Sequence, residues 1–203
     1  MIDDSEIYSY IGEKKFSEYL GNPEIQTLEI ALSTYKFDIQ LRGLLMSALG
    51  VLEVGLCAQL FRHGCEDEFL SFGHARKVLA HSGKTVREEI SRALGAKNYK
   101  QLRGALQNLN YLRNRVAHHE RIWNHRNPFA YPDFGMKPRV SRRIPNSNRH
   151  SLAWSVVGIQ TMLNEYPKLI SFENQFEMLL RKAQIDHGFL LKSMGFDVSL
   201  VVG

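Results

Sequence analysis

Apolar positions recur along most of this chain with the period of an α-helix. The longest series is Ile25, Leu28, Leu32, Tyr35, Ile39, Leu41, Leu45, Leu49, Leu52, Leu56 and Leu60. This spacing fills one face of a single long helix ending near Arg62, predicted to be the central strut, with at most one kink. Ahead of it, Asn22-Pro23-Glu24 has the composition of a helix start: Asn as cap, Pro in the first turn, an acid beside the positive end. Eleven residues separate Arg42 from Glu53. Eleven steps of about 100° return to within about 20°, so both lie along one edge of the apolar stripe. Gly43, Ser47 and Gly50 form a small-residue line on the same helix, suited either to packing within the chain or to a second copy.

The most regular period belongs to Tyr99, Leu102, Leu106, Leu109, Leu112 and Val116, opened by Asn98 as cap. Shorter helices are predicted around it. His74 to Ala80 is one, and another opens at a capping-box pattern, Thr85-Val-Arg-Glu88, and stops at Gly95. Two more are His150 to Glu165 and a last helix capped by Ser171, while Ile7 to Leu20 reads as a short helix or extended arm. No segment alternates with period two. The fold class is therefore all-α, an antiparallel bundle of four or five helices, expected as one domain over 1–203. From about 124 to 149 the period fails, and Pro128, Pro132, Pro138 and Pro145 mark an irregular loop.

Composition changes this picture in three places. Leu44 to Phe61 is apolar enough to be tested as a membrane span, but Glu53 in its middle would cost about 2.5–3.5 kcal/mol facing lipid. A buried core helix and no membrane partner is the expectation. The polar, acidic Ile2-Asp-Asp-Ser-Glu6 start carries no signal-peptide pattern, and two cysteines make no disulfide framework, so a reducing cytoplasmic setting is expected. The net charge is +5, and it concentrates. Arg121, Arg126, Lys137, Arg139, Arg142, Arg143 and Arg149 share a window with a single acid, Asp133. A basic patch on a near-neutral body points to a polyanionic partner.

The candidate chemistry sits where the most regular helix ends, in Tyr111-Leu-Arg-Asn-Arg-Val-Ala-His-His-Glu-Arg-Ile-Trp-Asn124. On a helical wheel Arg113 falls between Leu106 and Leu109, on the core side. A guanidinium stays charged, so it needs an anionic partner there, and Glu53 is the best placed. Asn114 and His118 share a face one turn apart. Arg113 and His118 lie about 140° apart on an ideal helix. Convergence on one ligand then requires a distorted helix end, a long reach by the arginine, or a second subunit. His118, His119, Glu120 and His125 make a poor metal set, since adjacent histidines face apart and the spacing of H-E-x-x-H is missing. No glycine-rich phosphate loop is present, and no cofactor is expected.

This fourteen-residue string resembles the signature of the Abi-like abortive-infection proteins, a branch of the HEPN superfamily. Leu41 to Leu56 resembles that family's long helix, with Glu53 at its acidic position, and Met194-Gly-Phe196 its C-terminal M-G-F. The chain departs from the pattern in its long basic loop and in lacking an aromatic ending after M-G-F. The resemblance implies a HEPN-like bundle and a metal-independent endoribonuclease acting in phage defence or as a toxin, usually as a homodimer. It makes Arg113 and His118 the catalytic pair, Asn114 the polar residue that follows the arginine, and Glu53 the orienting acid. His119 and Arg42 are candidate additional or supporting groups. Arg121, Arg126, Arg139, Arg142 and Arg143 are expected to contact RNA phosphates, and Trp123, Phe129 and Tyr131 to stack on unpaired bases. Other expectations from the resemblance are a cognate RNA or protein antitoxin and, as the alternative to an enzyme, a non-catalytic HEPN-type RNA-binding or dimerisation module.

Overall fold

In the computed structural model, residues 4–66, 70–132, 148–164, 166, 171–187 and 189–196 are described. Among them every regular element is a helix and no strand occurs. In chain order these are α1 (Asp4–Ile11), α2 (Glu13–Leu20), α3 (Leu28–Arg62), α4 (Phe72–His81), α5 (Lys84–Ala93), α6 (Tyr99–Ala117), α7 (Leu152–Leu163), α8 (Phe172–His187) and α9 (Phe189–Ser193). The expected all-α architecture is present, with more and shorter helices than the periodicity indicates.

α3 runs 35 residues as one element and packs against α2, α4, α5, α6, α7 and α8. It is long and apolar enough to cross a membrane by length and composition. Here its leucines from Leu41 to Leu60 are buried among the other helices, Leu44 excepted, as a core strut requires. Its start differs from the expectation. The Asn22 side chain accepts from the Glu24 N–H (2.9 Å), closing a local turn instead of capping a helix. The cap is Thr27, whose Oγ1 accepts from the Ile30 N–H.

α5, in contrast, starts without a side-chain cap, at Gly83. Glu88, expected to close a capping box, instead accepts from the Tyr99 N–H at the head of α6 (3.2 Å). The Asn98 cap of α6 stands as expected, accepting from the Gln101 N–H.

The described parts of the 124–149 segment are fixed to α6. Asn108, buried in mid-helix, donates to the Phe129 carbonyl (2.5 Å) and accepts from Ser155 Oγ (2.7 Å), while Asn127 Nδ2 donates to the Asn108 carbonyl (3.0 Å). Tyr131 is wholly buried. It packs so closely on α7 that a Cβ at Gly158 would lie 1.9 Å from its ring. Met194 and Phe196 are also buried, and the Met194 carbonyl accepts from Ala153 N–H, so the chain after α9 packs back on α7.

Candidate functional site

α6 delivers the central string to the edge of the bundle and stops there. His118 is the C-cap residue, and its ring is exposed. The Glu120 N–H bonds back to the Arg115 carbonyl (2.9 Å) and His119 takes φ 55. This is a helix stop with the left-handed position, usually glycine, filled by histidine.

The turn that follows is tied down at several points. Arg115 pairs with Glu120 (2.5 Å) and donates to the Arg121 carbonyl (3.0 Å). Arg42 donates to the Glu120 carbonyl (3.3 Å). Asp38 accepts from the backbone N–H groups of Ile122 (3.1 Å) and Trp123 (2.7 Å), from Tyr19 Oη (2.7 Å) and from Arg42 Nη1 (2.6 Å). Burial pushes the Asp38 carboxyl above its ordinary range, opposed by Arg42 and the three other donors. Burial, with the negative neighbour, likewise pushes the Tyr19 hydroxyl up.

This arrangement corrects two expectations. Arg42, a candidate supporting group for the site, belongs to a buried ion pair with Asp38 and holds the turn, outside the lining of the Arg113 cleft. Trp123 is buried, with Nε1 donating to Ser193 Oγ (2.7 Å), and Tyr131 is buried too, so neither offers a face for a base. Phe129 alone of the three aromatics is exposed. Arg121 donates to the Glu18 carbonyl and lies over the Trp123 ring, a brace between the turn and α2. Arg126 is exposed; Arg139, Arg142 and Arg143 lie outside the described residues.

The expected pair forms on the other side of α6. Arg113 Nε lies 3.4 Å from Glu53 Oε2. The second oxygen, Glu53 Oε1, accepts from the Phe72 N–H at the start of α4 (2.6 Å). One carboxylate thus holds the arginine and the α4 N-terminus together, an arrangement favoured by the helix dipole. Above it opens a cleft of about 520 Å³ between α4 and α6, lined by Arg113, Asn114, Asn110, His74, Arg76 and Lys77 among others. Close approach is possible because residue 73 is glycine: a Cβ there would meet Asn110 Oδ1 at 3.2 Å. Arg113 and Asn114 therefore share the cleft. His118, one turn beyond Asn114, stands outside its lining.

His74, Lys77 and Asn110 are not among the site residues expected from the sequence. Nothing in α4 other than its basic composition signals His74 and Lys77, and nothing in α6 signals Asn110, because the cleft forms only where Glu53 ties α4 to α6. His125 is drawn the other way, stacked on Tyr111 (5.6 Å between ring centres). Burial and the nearby Arg115 push its pKa down to about 4. Among the described residues no group of three or more His, Cys, Asp or Glu is arranged to hold a metal ion.

Residues 66–124, which include α4, α5, α6 and the turn after it, match the Abi-like protein family. The Abi-like resemblance read from the sequence is therefore supported over this segment, which carries the cleft-lining residues of α4 and α6. No curated protein matches the chain, and neither does any solved structure.

Proposed function

We propose that this Abi-like chain is a metal-independent endoribonuclease of the HEPN type, acting in phage defence by abortive infection or as a toxin. The observation that carries the reading is Arg113, paired with Glu53, in the lining of an open, cation-lined cleft, with Asn114 beside it and an exposed histidine one turn along the same helix. An arginine held by a carboxylate at Nε keeps its terminal nitrogens for two phosphate oxygens. RNA brings its own nucleophile. His118 removes the 2′-OH proton, the 2′-oxygen attacks phosphorus, and the 5′-oxygen leaves and takes up a proton. Arg113 offsets the charge that grows on the phosphoryl oxygens. The products are a 2′,3′-cyclic phosphate and a 5′-OH.

His118 stands clear of its own cleft, which favours a homodimer in which two motifs are brought together. The outer face of α3 is the surface for it. Ile39, Met46, Val54 and Phe61 are exposed there, and apart from the helix's own backbone nothing lies within 4 Å of a Cβ placed at Gly43 or Gly50. Met46 precedes Glu53 by seven residues, so this face adjoins the edge from which Glu53 reaches the site. A cognate RNA or protein antitoxin is the partner expected to hold such an enzyme in check.

The same position of His118 also fits a non-catalytic RNA-binding module, and one experiment separates the two. Defined RNAs are incubated in excess EDTA with wild type, Arg113→Ala and His118→Ala, and the product ends are analysed. Cyclic phosphate ends from wild type are expected, with the rate falling by about 10²–10⁴ in either variant. RNA bound but left intact by wild type would establish the binding module.

A further inference from the structure

The strongest accumulation of positive charge in the described structure is not the window after the motif but the pair of helices that walls the cleft. α4 carries Arg76 and Lys77, and α6 carries Lys100, Arg103, Arg113 and Arg115; neither helix contains a single Asp or Glu. Glu53, the acid behind them, is occupied by Arg113 and the Phe72 N–H. The acids of α5 are engaged elsewhere: Glu88 accepts from the Tyr99 N–H and Glu89 faces His63. Arg76 and Lys77, the cations on the α4 side of the cleft, form no ion pair among the described residues, and the residues of that side follow a pattern. His74, Lys77 and His81 follow at steps of three and four along α4, which gives one outward stripe. All three are exposed. They continue the cleft into a second, shallower depression that His74, Lys77, Val78, His81 and Ser82 line. Arg76 also lines the cleft, and its enclosed Nε has no hydrogen-bond partner.

We infer that the groove running from Arg113 along the His74–Lys77–His81 stripe is the track for the sugar–phosphate backbone of single-stranded RNA on one side of the scissile bond. The inference rests on the nuclease reading and adds to it where the flanking phosphates lie. Lys77 and Arg76 hold phosphate oxygens. His74 and His81 border the backbone with ring nitrogens, His81 through Nε2 since its Nδ1 bonds the Lys77 carbonyl, and Asn110 supplies a neutral donor and acceptor at the junction with the Arg113 phosphate. A groove of this kind reads backbone and not sequence, since its lining offers point charges and its one aromatic, Phe72, is packed in the core with no face free for a base.

The test measures binding of a 5′-fluorescein-labelled single-stranded 12-nucleotide RNA by anisotropy, in a His118→Ala background so that the probe survives. Lys77→Glu is compared with Lys182→Glu, the same charge change at an exposed position of α8. Lys77→Glu is expected to weaken binding about tenfold or more and to lower the slope of log K against log salt by about 0.7 for each phosphate no longer held. Lys182→Glu is expected to change binding by less than about twofold, since only general charge is altered there. Equal losses in both variants, or no loss in Lys77→Glu, would overturn the track. The same outcome follows if Lys77→Glu abolishes binding of polyglutamate and leaves RNA binding intact, because the groove would then serve an acidic protein partner. Cleavage by the wild type is scored in parallel. RNA cleaved by wild type with Lys77→Glu binding unchanged sinks the track alone, whereas RNA neither bound nor cleaved sinks it together with the nuclease reading.

Discussion

Replacing Asp38 by alanine would leave Arg42 as an uncompensated cation in the core and release two backbone N–H groups of the turn after the motif. Breaking a buried pair in this way costs about 3–5 kcal/mol, and a fall of that size is expected in the stability from urea unfolding. Tyr19→Phe, which removes one of the four donors, should cost only about 0.5–1.5 kcal/mol. His125 gives a pH signature. It titrates at about 4 in the folded chain, against an ordinary value of 6.5. A base that folds in its neutral form leaves the unfolded state binding more protons as pH falls. Its contribution is therefore intact above pH 6.5 and lost between there and about pH 4, which an NMR titration of the ring would verify. Glu53 was legible as the partner of Arg113 because both positions follow from helical periodicity alone. Asp38 was not, since what it binds beyond Arg42 includes backbone groups 84 and 85 residues away, and backbone donors leave no mark on the sequence.

Helix ends show the same division between local and distant causes. Asn98 and Ser71 cap the helices that follow them, but Asn22 closes a turn and Glu88 reaches the next helix instead of its own start. Residues of these types serve any unpaired N–H within reach, and the sequence does not say which one is nearest. The stop of α6 is a case where the residue type argues against its own backbone. His119 at φ 55 bears a strain that glycine would not have. His119→Gly is accordingly expected to hold or slightly raise the melting temperature. If His119 only shapes the turn, cleavage by this variant stays near that of wild type; if its imidazole acts on the proton of the leaving oxygen, cleavage falls although the fold is kept. Gly158→Ala has the opposite sign. The Cβ would enter the Tyr131 ring, and overpacking there should cost about 1–3 kcal/mol, read as a drop in the denaturation midpoint.

At the scale of the molecule, the basic window after the motif stands out in the sequence because charge in one run is easy to see. The charge of α4 and α6 is diluted over two helices separated in sequence by α5, and becomes a single surface only when Glu53 brings them together. On the outer face of α3, which Gly43 and Gly50 mark in the sequence, the apolar residues were hidden for a related reason. Ile39, Met46, Val54 and Phe61 are apolar, so a helix already rich in leucine gave them no contrast, and only the packing separates them from the buried stripe. Val54 is the most exposed of the four, at 69%. Val54→Glu therefore leaves the core untouched while placing a charge in the middle of the surface proposed for the second copy. Wild type is expected to sediment as a dimer at tens of micromolar and the variant as a monomer of unchanged helicity. Because each protomer's His118 stands outside its own cleft, RNA cleavage should fall along with the dimer, while the backbone track on α4, which each protomer builds alone, should still bind the single strand. A wild-type monomer that cleaves RNA would show instead that one chain's His118 swings to its own Arg113, and the site would then have to be completed by a rearrangement of the residues from His118 to Glu120.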